Sequence, residues 1–280
     1  MPFTLSHPAA VIPVRWAMGR RASLSALVIG SMSPDFAHFL PVVTGVFTHS
    51  LPGILLFDLP AAIAVYFLFH WLIKRPATTL LPERLAACLS AQVFDSPLIP
   101  AIPFLTVVLS LVLGAFTHVA WDAFTHENTV IVQNHSALDG VAFDVRGQPI
   151  QIFKLLQYLS SVFGLAIIFW CTWRWVDRQP AIISLTESPS LPLRNRVLIL
   201  GAAIAAAPVG SLIGVSVDWM APYGLTPWRI PWERTAFLMI IGAMDATALV
   251  LLAYCIVWNV QARQRGEILR TANPDRSGAG

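Results

Sequence analysis

The residues of this chain that could do chemistry are a few histidines and aspartates set in apolar sequence. The stretch LGAFTHVAWDAFTHEN, residues 113–128, carries His118, Asp122 and His126 at intervals of four. On a helix each such step advances about 400°, so successive members lie one above the other on one face. The result is an imidazole–carboxylate–imidazole ladder on the last turns of a long apolar helix. Neutral imidazole and carboxylate are the ligands that a zinc-like divalent cation takes. The same spacing also suits a hydrogen-bonded pair that closes a helix end near a membrane surface. One helix cannot surround an ion, so further ligands must come from elsewhere. His7, Asp35 in Ser33-Pro34-Asp35-Phe36, and His49 in Thr48-His49-Ser50 are the candidates, with Asp58 as a carboxylate inside an apolar run. His38 and Asp245 are weaker ones.

Composition says what must position them. Of 280 residues, 56% are hydrophobic and 12% charged, and the mean hydropathy is +0.67. A soluble domain has about 25% charged residues. The chain is therefore read as an integral membrane protein. Its net charge of +3 is small, and the basic residues flank the apolar runs, which orients a chain in a bilayer and gives no footprint for nucleic acid. Cys88, Cys171 and Cys255 are scattered, with neither metal-motif nor disulfide spacing, and are read as packing residues. The start, MPFTLSHPAAVIPVRW, lacks the pattern of a signal peptide, so insertion is expected to rely on the spans themselves.

Residues 3–18 read as a short apolar helix, with Ser6 as N-cap and Pro8 in the first turn. A second runs from Ser23 to Met32. Neither reaches the ~20 residues of a span, so they form a helical hairpin with His7 and Asp35 at its mouth. Five spans follow: Leu51 to Ile73, Ile99 to Phe124, Ile152 to Val176, Val197 to Val217 and Thr235 to Val260. Residues 82–97 read as interfacial and 127–150 as a polar loop. A Pro/Ser-rich loop runs to Leu193, and the Trp-rich loop MAPYGLTPWRIPWE reads as lying at interface depth. The expected fold is an all-α polytopic bundle of five spans plus the hairpin, one domain over 1–262, with a polar, disordered tail over 263–280.

Basic residues gather after the first span (Lys74, Arg75, Arg84), between the third and fourth (Arg174, Arg178, Arg194, Arg196) and after the fifth (Arg263, Arg265, Arg270). Alternation puts all three groups on one side, which the positive-inside rule makes cytoplasmic; Arg229 and Arg234, outnumbered, oppose it. His49, His126 and the 127–150 loop then face outward. Asp58 lies ~13 Å along its helix from His49, His118 ~12 Å from His126, and Asp245 ~16 Å from Arg234. Aspartates at such depth cost about 2.5–3.5 kcal/mol and face a partner or a cavity, so one outward-opening polar pocket is expected. His70 falls at the other end of its helix and reads as interfacial; His135 reads as solvated.

The motifs MPFTLSHPAAVIPV, ALVIGSMSPDF, THSLPGILLFDLP and LGAFTHVAWDAFTH resemble an uncharacterised family of multi-pass bacterial membrane proteins, a domain of unknown function, over at least residues 1–145. More loosely they are similar to membrane-bound metal-dependent hydrolases and to the zinc-dependent phospholipase C group. Those hydrolases carry an early His, a Pro-Asp, a Thr-His-Ser and a His-x-x-x-Asp, places taken here by His7, Asp35, His49, His118 and Asp122. Where they often have a basic residue before Thr-His-Ser, this chain has Gly45-Val46-Phe47. The looser resemblance implies a membrane hydrolase that cleaves an ester or phosphodiester, of a lipid or another amphiphile, with metal-activated water. His7, Asp35, His49, His118, Asp122 and His126 would hold the divalent metal, zinc by preference. Asp58 and Asp122 would serve catalysis, Asp58 as a base or by orienting an imidazole. The implied location is the bacterial inner membrane, among its lipids, with the site on the outer face. The other readings are a cation or proton transporter using the same groups as a relay, and a non-catalytic assembly protein.

The orientation yields a topology test. In a background without the three cysteines, an impermeant thiol reagent applied to intact cells should label cysteines placed at Asn134 and Tyr223 and spare one at Ser184 and those in the tail. Labelling at Ser184 would invert the protein.

Overall fold

The computed structural model describes residues 3–39, 45–94, 97, 102–145, 147–179, 189–220 and 232–272. The Pro/Ser-rich loop over 180–188, most of the Trp-rich loop with Tyr223 and Arg229, and the tail beyond 272 lie outside the described residues. The fold is all-α and membrane-spanning. Five helices are long and apolar enough to cross a bilayer, at Leu51–Thr79, Phe104–Asp122, Ile152–Asp177, Leu193–Ser216 and Arg234–Arg265. Chain contacts gather the residues into two compact units: Met1–Leu68 with Ile99–Pro180, and Phe69–Leu98 with Ala181–Gly280.

The first unit holds the N-terminal hairpin. Its first arm opens as a 3-10 helix, Thr4–Ala10, and continues as α1, Val11–Met18. Ser6 is therefore not an N-cap: it lies inside the 3-10 turn, and its hydroxyl donates to Phe3 O at 2.7 Å. The second arm, α2 (Leu24–Gly30), is capped by Ser23, whose side chain accepts from Ala26 N, and runs into a 3-10 turn, Ser33–His38. Helix α3 is the Leu51–Thr79 span; α4 is Glu83–Val93, α5 is Phe104–Asp122 and α6 is Ile152–Asp177.

Two glycines set α2 against α5. A Cβ on Gly30 would overlap the Leu111 carbonyl, and one on Gly114 the Leu27 carbonyl. With no Cβ on either, the backbones touch, the close approach that small residues allow between membrane helices. Ser110 Oγ adds a hydrogen bond from Ser23 N at 3.0 Å. Val11, Ala22 and Leu27 form the buried core beside this crossing, with Val14, Met18, Val28 and Leu113 against them. Gly164 of α6 lies on the 3-10 helix, 2.8 Å from Ser6 O for an added Cβ, and Ser161 Oγ accepts from Phe3 N at 2.9 Å. The arm carrying His7 is thus held from two sides.

Helix α3 is widened twice, into π turns at Ile54–Asp58 and Phe69–Ile73. Each precedes a proline, Pro60 or Pro76, by a few residues. A helical proline removes the bond to the carbonyl four residues earlier and crowds it; those carbonyls, Leu56 and Leu72, fall inside the π turns, which relieve the crowding. Leu72 O regains a donor in Asn259 Nδ2 at 3.0 Å, within the second unit. The helix also continues past Lys74 and Arg75 to Thr79, so His70 is not at an interfacial helix end. It is buried, 4% exposed, edge-on to Phe69.

The loop over 127–150 is more ordered than its polarity implies. It holds short helices Val130–Asn134 and Ser136–Asp139 and an antiparallel hairpin, β1 (Val141–Val145) with β2 (Gln148–Gln151). Alternation of Val141, Phe143 and Val145 makes the strand, and Gly147 at φ +82° makes the turn, its N–H bonded to Asp144 Oδ1 at 2.6 Å.

In the second unit α7 (Leu193–Met220) and α8 (Trp232–Ala272) pack on Gly210, Gly214 and Gly242. Ser211 Oγ donates to Met239 O at 2.9 Å and Thr247 Oγ1 to Ala203 O at 3.1 Å, which satisfies polar groups where water is scarce. Arg196 reaches Leu81 O at 2.9 Å and Glu83 Oε1 at 3.2 Å. Asp245 belongs to this unit.

The glycine crossing gives a stability prediction. Gly114→Val should cost about 3 kcal/mol or more, because the obstacle is backbone and cannot repack. Gly201→Ala, with nothing within 4 Å of the new Cβ, should be neutral or stabilising by up to about 1 kcal/mol. Thermal unfolding in detergent reads both.

Candidate metal centre

Every element of the first unit that carries a candidate ligand delivers it to one place. Asp122 Oδ2 lies 3.3 Å from both His49 Nε2 and His118 Nε2. Asp35 Oδ1 lies 3.6 Å from His118 Nε2 and 3.7 Å from His49 Nε2. The two imidazole nitrogens are 3.2 Å apart. His7 stacks on His118 with ring centroids 3.6 Å apart, its Nε2 3.7 Å from Asp122 Oδ1. His118 and Asp35 are wholly buried, and His7 and Asp122 nearly so.

The rings are held from behind. Helix α2 ends at Gly30, which leaves its last carbonyls without intrahelical donors. Ser31 O takes the Nδ1–H of His118 at 2.8 Å; a carbonyl only accepts, so that nitrogen carries a proton, and in the neutral ring the lone pair is on Nε2. Thr48 Oγ1 donates its own proton to Pro34 O at 2.8 Å. The same oxygen lies 3.2 Å from His49 Nδ1, which turns His49 Nε2 toward the cluster. Two imidazole nitrogens thus face each other between two buried carboxylates. Such a set repels itself unless a cation or proton lies among its members.

The spacing suits a metal. Ligands about 2.1 Å from a tetrahedral ion are about 3.4 Å from one another. The two triangles that His49 and His118 make with Asp122 and with Asp35 have edges of 3.2 to 3.7 Å. Two groups of three could hold an ion, His7–Asp35–His118 and His49–His118–Asp122, each with its ligand atoms within 4.8 Å of one another. Neither His7 nitrogen, neither Asp122 oxygen, nor Asp35 Oδ1 has a hydrogen-bond partner among the described residues. Burial foremost, then the charge of His118, holds the His7 pKa down to about 3 against the pull of Asp122. The imidazole is accordingly neutral at physiological pH, as a ligand must be.

Local sequence explains the placement. In Thr-His-Ser, Thr48 fixes the ring of His49 while Ser50 caps α3 by accepting Gly53 N–H at 3.1 Å. Asp35 falls in the 3-10 turn after α2, where Thr4 Oγ1 donates to its Oδ2 at 2.6 Å and leaves Oδ1 for the histidines. His118 and Asp122 share a face of α5 as i, i+4 neighbours should.

The ladder does not continue to His126 on that helix. Helix α5 stops at Asp122, and Phe124 N and Thr125 N turn back to Trp121 O and Asp122 O. His126 lies beyond the end, where its Nδ1–H caps Asp122 O at 3.2 Å and stands 3.6 Å from Asp122 Oδ2. It belongs to neither ligand-sized group, and burial, opposed by Asp122, lowers its pKa. Asp58, in the π turn of α3, is wholly buried and feels the charges of His49, His118 and Asp35. Its oxygens have no hydrogen-bond partner among the described residues; the imidazoles are oriented by Ser31 and Thr48 instead. His135 is exposed, its ring donating to Ile131 O at 2.8 Å.

Thr4 was not legible beforehand as part of the site, and His38 was named only as a weaker candidate. His38 Nε2 stands 3.7 Å from Asp35 Oδ1, and burial lowers its pKa against Asp35; its only signal was the spacing of three from Asp35. Thr4 had none beyond its place three residues before His7.

A family model, Domain of unknown function (DUF4184), matches residues 1–256, and the chain belongs to that family. No curated protein and no solved structure matches it.

The cluster separates a ligand set from a hydrogen-bonded pair. His118→Ala and Asp122→Ala should each strip bound metal from the purified protein, and the double variant should be as metal-free as either. Stability should fall by about 1–3 kcal/mol in each single, with no recovery in the double. Recovery in the double, with a metal-free wild type, would make the pair structural. Elemental analysis and thermal unfolding read the two quantities.

Proposed function

We propose that this DUF4184 protein is a membrane-embedded hydrolase that uses a divalent metal of the zinc type to cleave an ester or phosphodiester. The observation that carries the reading is the pair of imidazole nitrogens, His49 Nε2 and His118 Nε2, set 3.2 Å apart between the buried carboxylates of Asp35 and Asp122. An ion bound there would supply a water of lowered pKa and polarise the scissile group.

The chain's own residues have separate tasks. His49, His118, Asp35 and Asp122 bind, with His7 closing the cluster on the N-terminal side. Thr4, Ser31 and Thr48 orient them, as partners behind metal ligands do. Asp58 is the proton acceptor: a buried carboxylate without hydrogen-bond donors among the described residues, under the field of the same histidines. The basic residues at and just beyond the end of α3, around the start of α7 and at the end of α8 support an outward-facing site in a bacterial inner membrane. His70, buried further along the helix that carries Asp58, favours as second reading a cation or proton conductor.

The Asp58→Asn variant tests the assignment. It should keep the metal content of the wild type and lose about 10²–10⁴-fold in kcat on a hydrolysed ester or phosphodiester, the share of a general base. Undiminished kcat would remove Asp58 from the reaction. Metal-loaded wild type that hydrolyses no ester or phosphodiester, yet passes cations or protons in proteoliposomes, would replace the hydrolase with the conductor.

A further inference from the structure

His7 borders a second space besides the cluster. A cavity of ≈ 120 Å³ lies between the N-terminal 3-10 helix and α6. Ala9 and Ala10 line it on one side, and Phe163, Gly164 and Ile167 on the other. The hydroxyl protons of its two serines are committed to their own backbone, Ser6 to Phe3 O and Ser160 to Gln157 O. What it offers an occupant is therefore hydrocarbon, with one imidazole at its margin.

Two facts decide what fits. An apolar cavity of about 150 Å³ holds a benzene ring, so this one takes a few carbons and no headgroup. Phe163 and Trp121, 66% and 45% exposed, both line it and both belong to membrane-spanning helices. The cavity is thus continuous with the surface that meets lipid tails. Its other margin, His7, stands with Nε2 3.7 Å from Asp122 Oδ1.

We infer that this slot receives the first few carbons of an acyl chain from a lipid of the surrounding bilayer, bringing the lipid's polar linkage to the His/Asp cluster. The inference rests on the hydrolase reading for its consequence, since it names the substrate class as an acyl lipid. Occupancy of the slot does not depend on that reading. Because only the carbons next to the linkage are enclosed, the slot is sensitive to bulk there and indifferent to total chain length.

Photolabelling distinguishes the two. The full chain is reconstituted in phosphatidylcholine vesicles containing phosphatidylcholine with a diazirine close to its acyl ester, and labelled residues are mapped by mass spectrometry. Label should concentrate at Ala9, Ala10 and Ile167 above Phe169, which is 71% exposed on the same helix α6. Ala10→Phe, which fills the slot, should lower slot labelling about tenfold, the equivalent of about two buried methylenes, and leave Phe169 and metal content unchanged. Ile167→Trp fills it from the opposite wall and serves if the first variant does not fold. Equal labelling at the slot and at Phe169, or slot labelling insensitive to filling, overturns the inference. Slot labelling that responds to filling, in a protein that hydrolyses nothing, upholds the slot and overturns the hydrolase.

Discussion

Two carboxylates, Asp35 and Asp122, are buried inside the first unit of this protein, and much of that unit serves to make their burial tolerable. An ionised carboxylate out of water must be paired, hydrogen-bonded or bound to a cation. Among the described residues, no arginine or lysine pairs with either carboxylate. The groups that converge are imidazoles, from the N-terminal 3-10 helix, the start of α3 and the end of α5. Imidazole differs from ammonium in having a neutral form with a lone pair, and here the His118 ring is held by the Ser31 carbonyl behind it while Thr48 Oγ1 stands beside His49 Nδ1. The buried carboxylates and imidazoles thereby form groups that could hold a metal ion.

The helix packing follows from the same requirement. His118 can donate to Ser31 O only because α2 ends one residue earlier and lies in backbone contact with α5, through Gly30 and Gly114. A side chain at either glycine would move the carbonyl away from the ring. Gly164 does the same for His7, letting α6 approach the 3-10 helix. Close helix contact in the bilayer is stabilised by van der Waals packing and hydrogen bonds more than by exclusion of water. The glycines thus set both the stability of the unit and the geometry of its site.

The interior of α3 shows how a span tolerates prolines and polar groups. Each proline is answered by a π turn, and one freed carbonyl finds a side-chain donor in Asn259. The π turn before Pro60 also bears Asp58, which feels the charges of His49, His118 and Asp35. Such turns are frequent at functional sites. Here the widening that relieves a proline coincides with a buried carboxylate.

What the sequence alone determined is what short-range composition can encode. The five spans were legible because a run of ~20 apolar residues has one economical place in a cell, and the hairpin because its two arms are too short to span. Asp35, Asp58 and Asp122 stood out because a carboxylate in an apolar run is costly and therefore visible. His118 and Asp122 were paired by helical spacing, and His7 and His49 by their place in motifs. Tertiary structure decided the rest. Only it could show that α5 ends at Asp122 and puts His126 past the helix, because the end is set by i, i+3 bonds of the backbone. Only it could show which nitrogen of His118 faces the cluster, because the acceptor behind that ring is a main-chain carbonyl, and every residue has one. The β-hairpin was hidden for a similar reason: a five-residue alternation inside a polar loop becomes a strand only when a partner pairs with it.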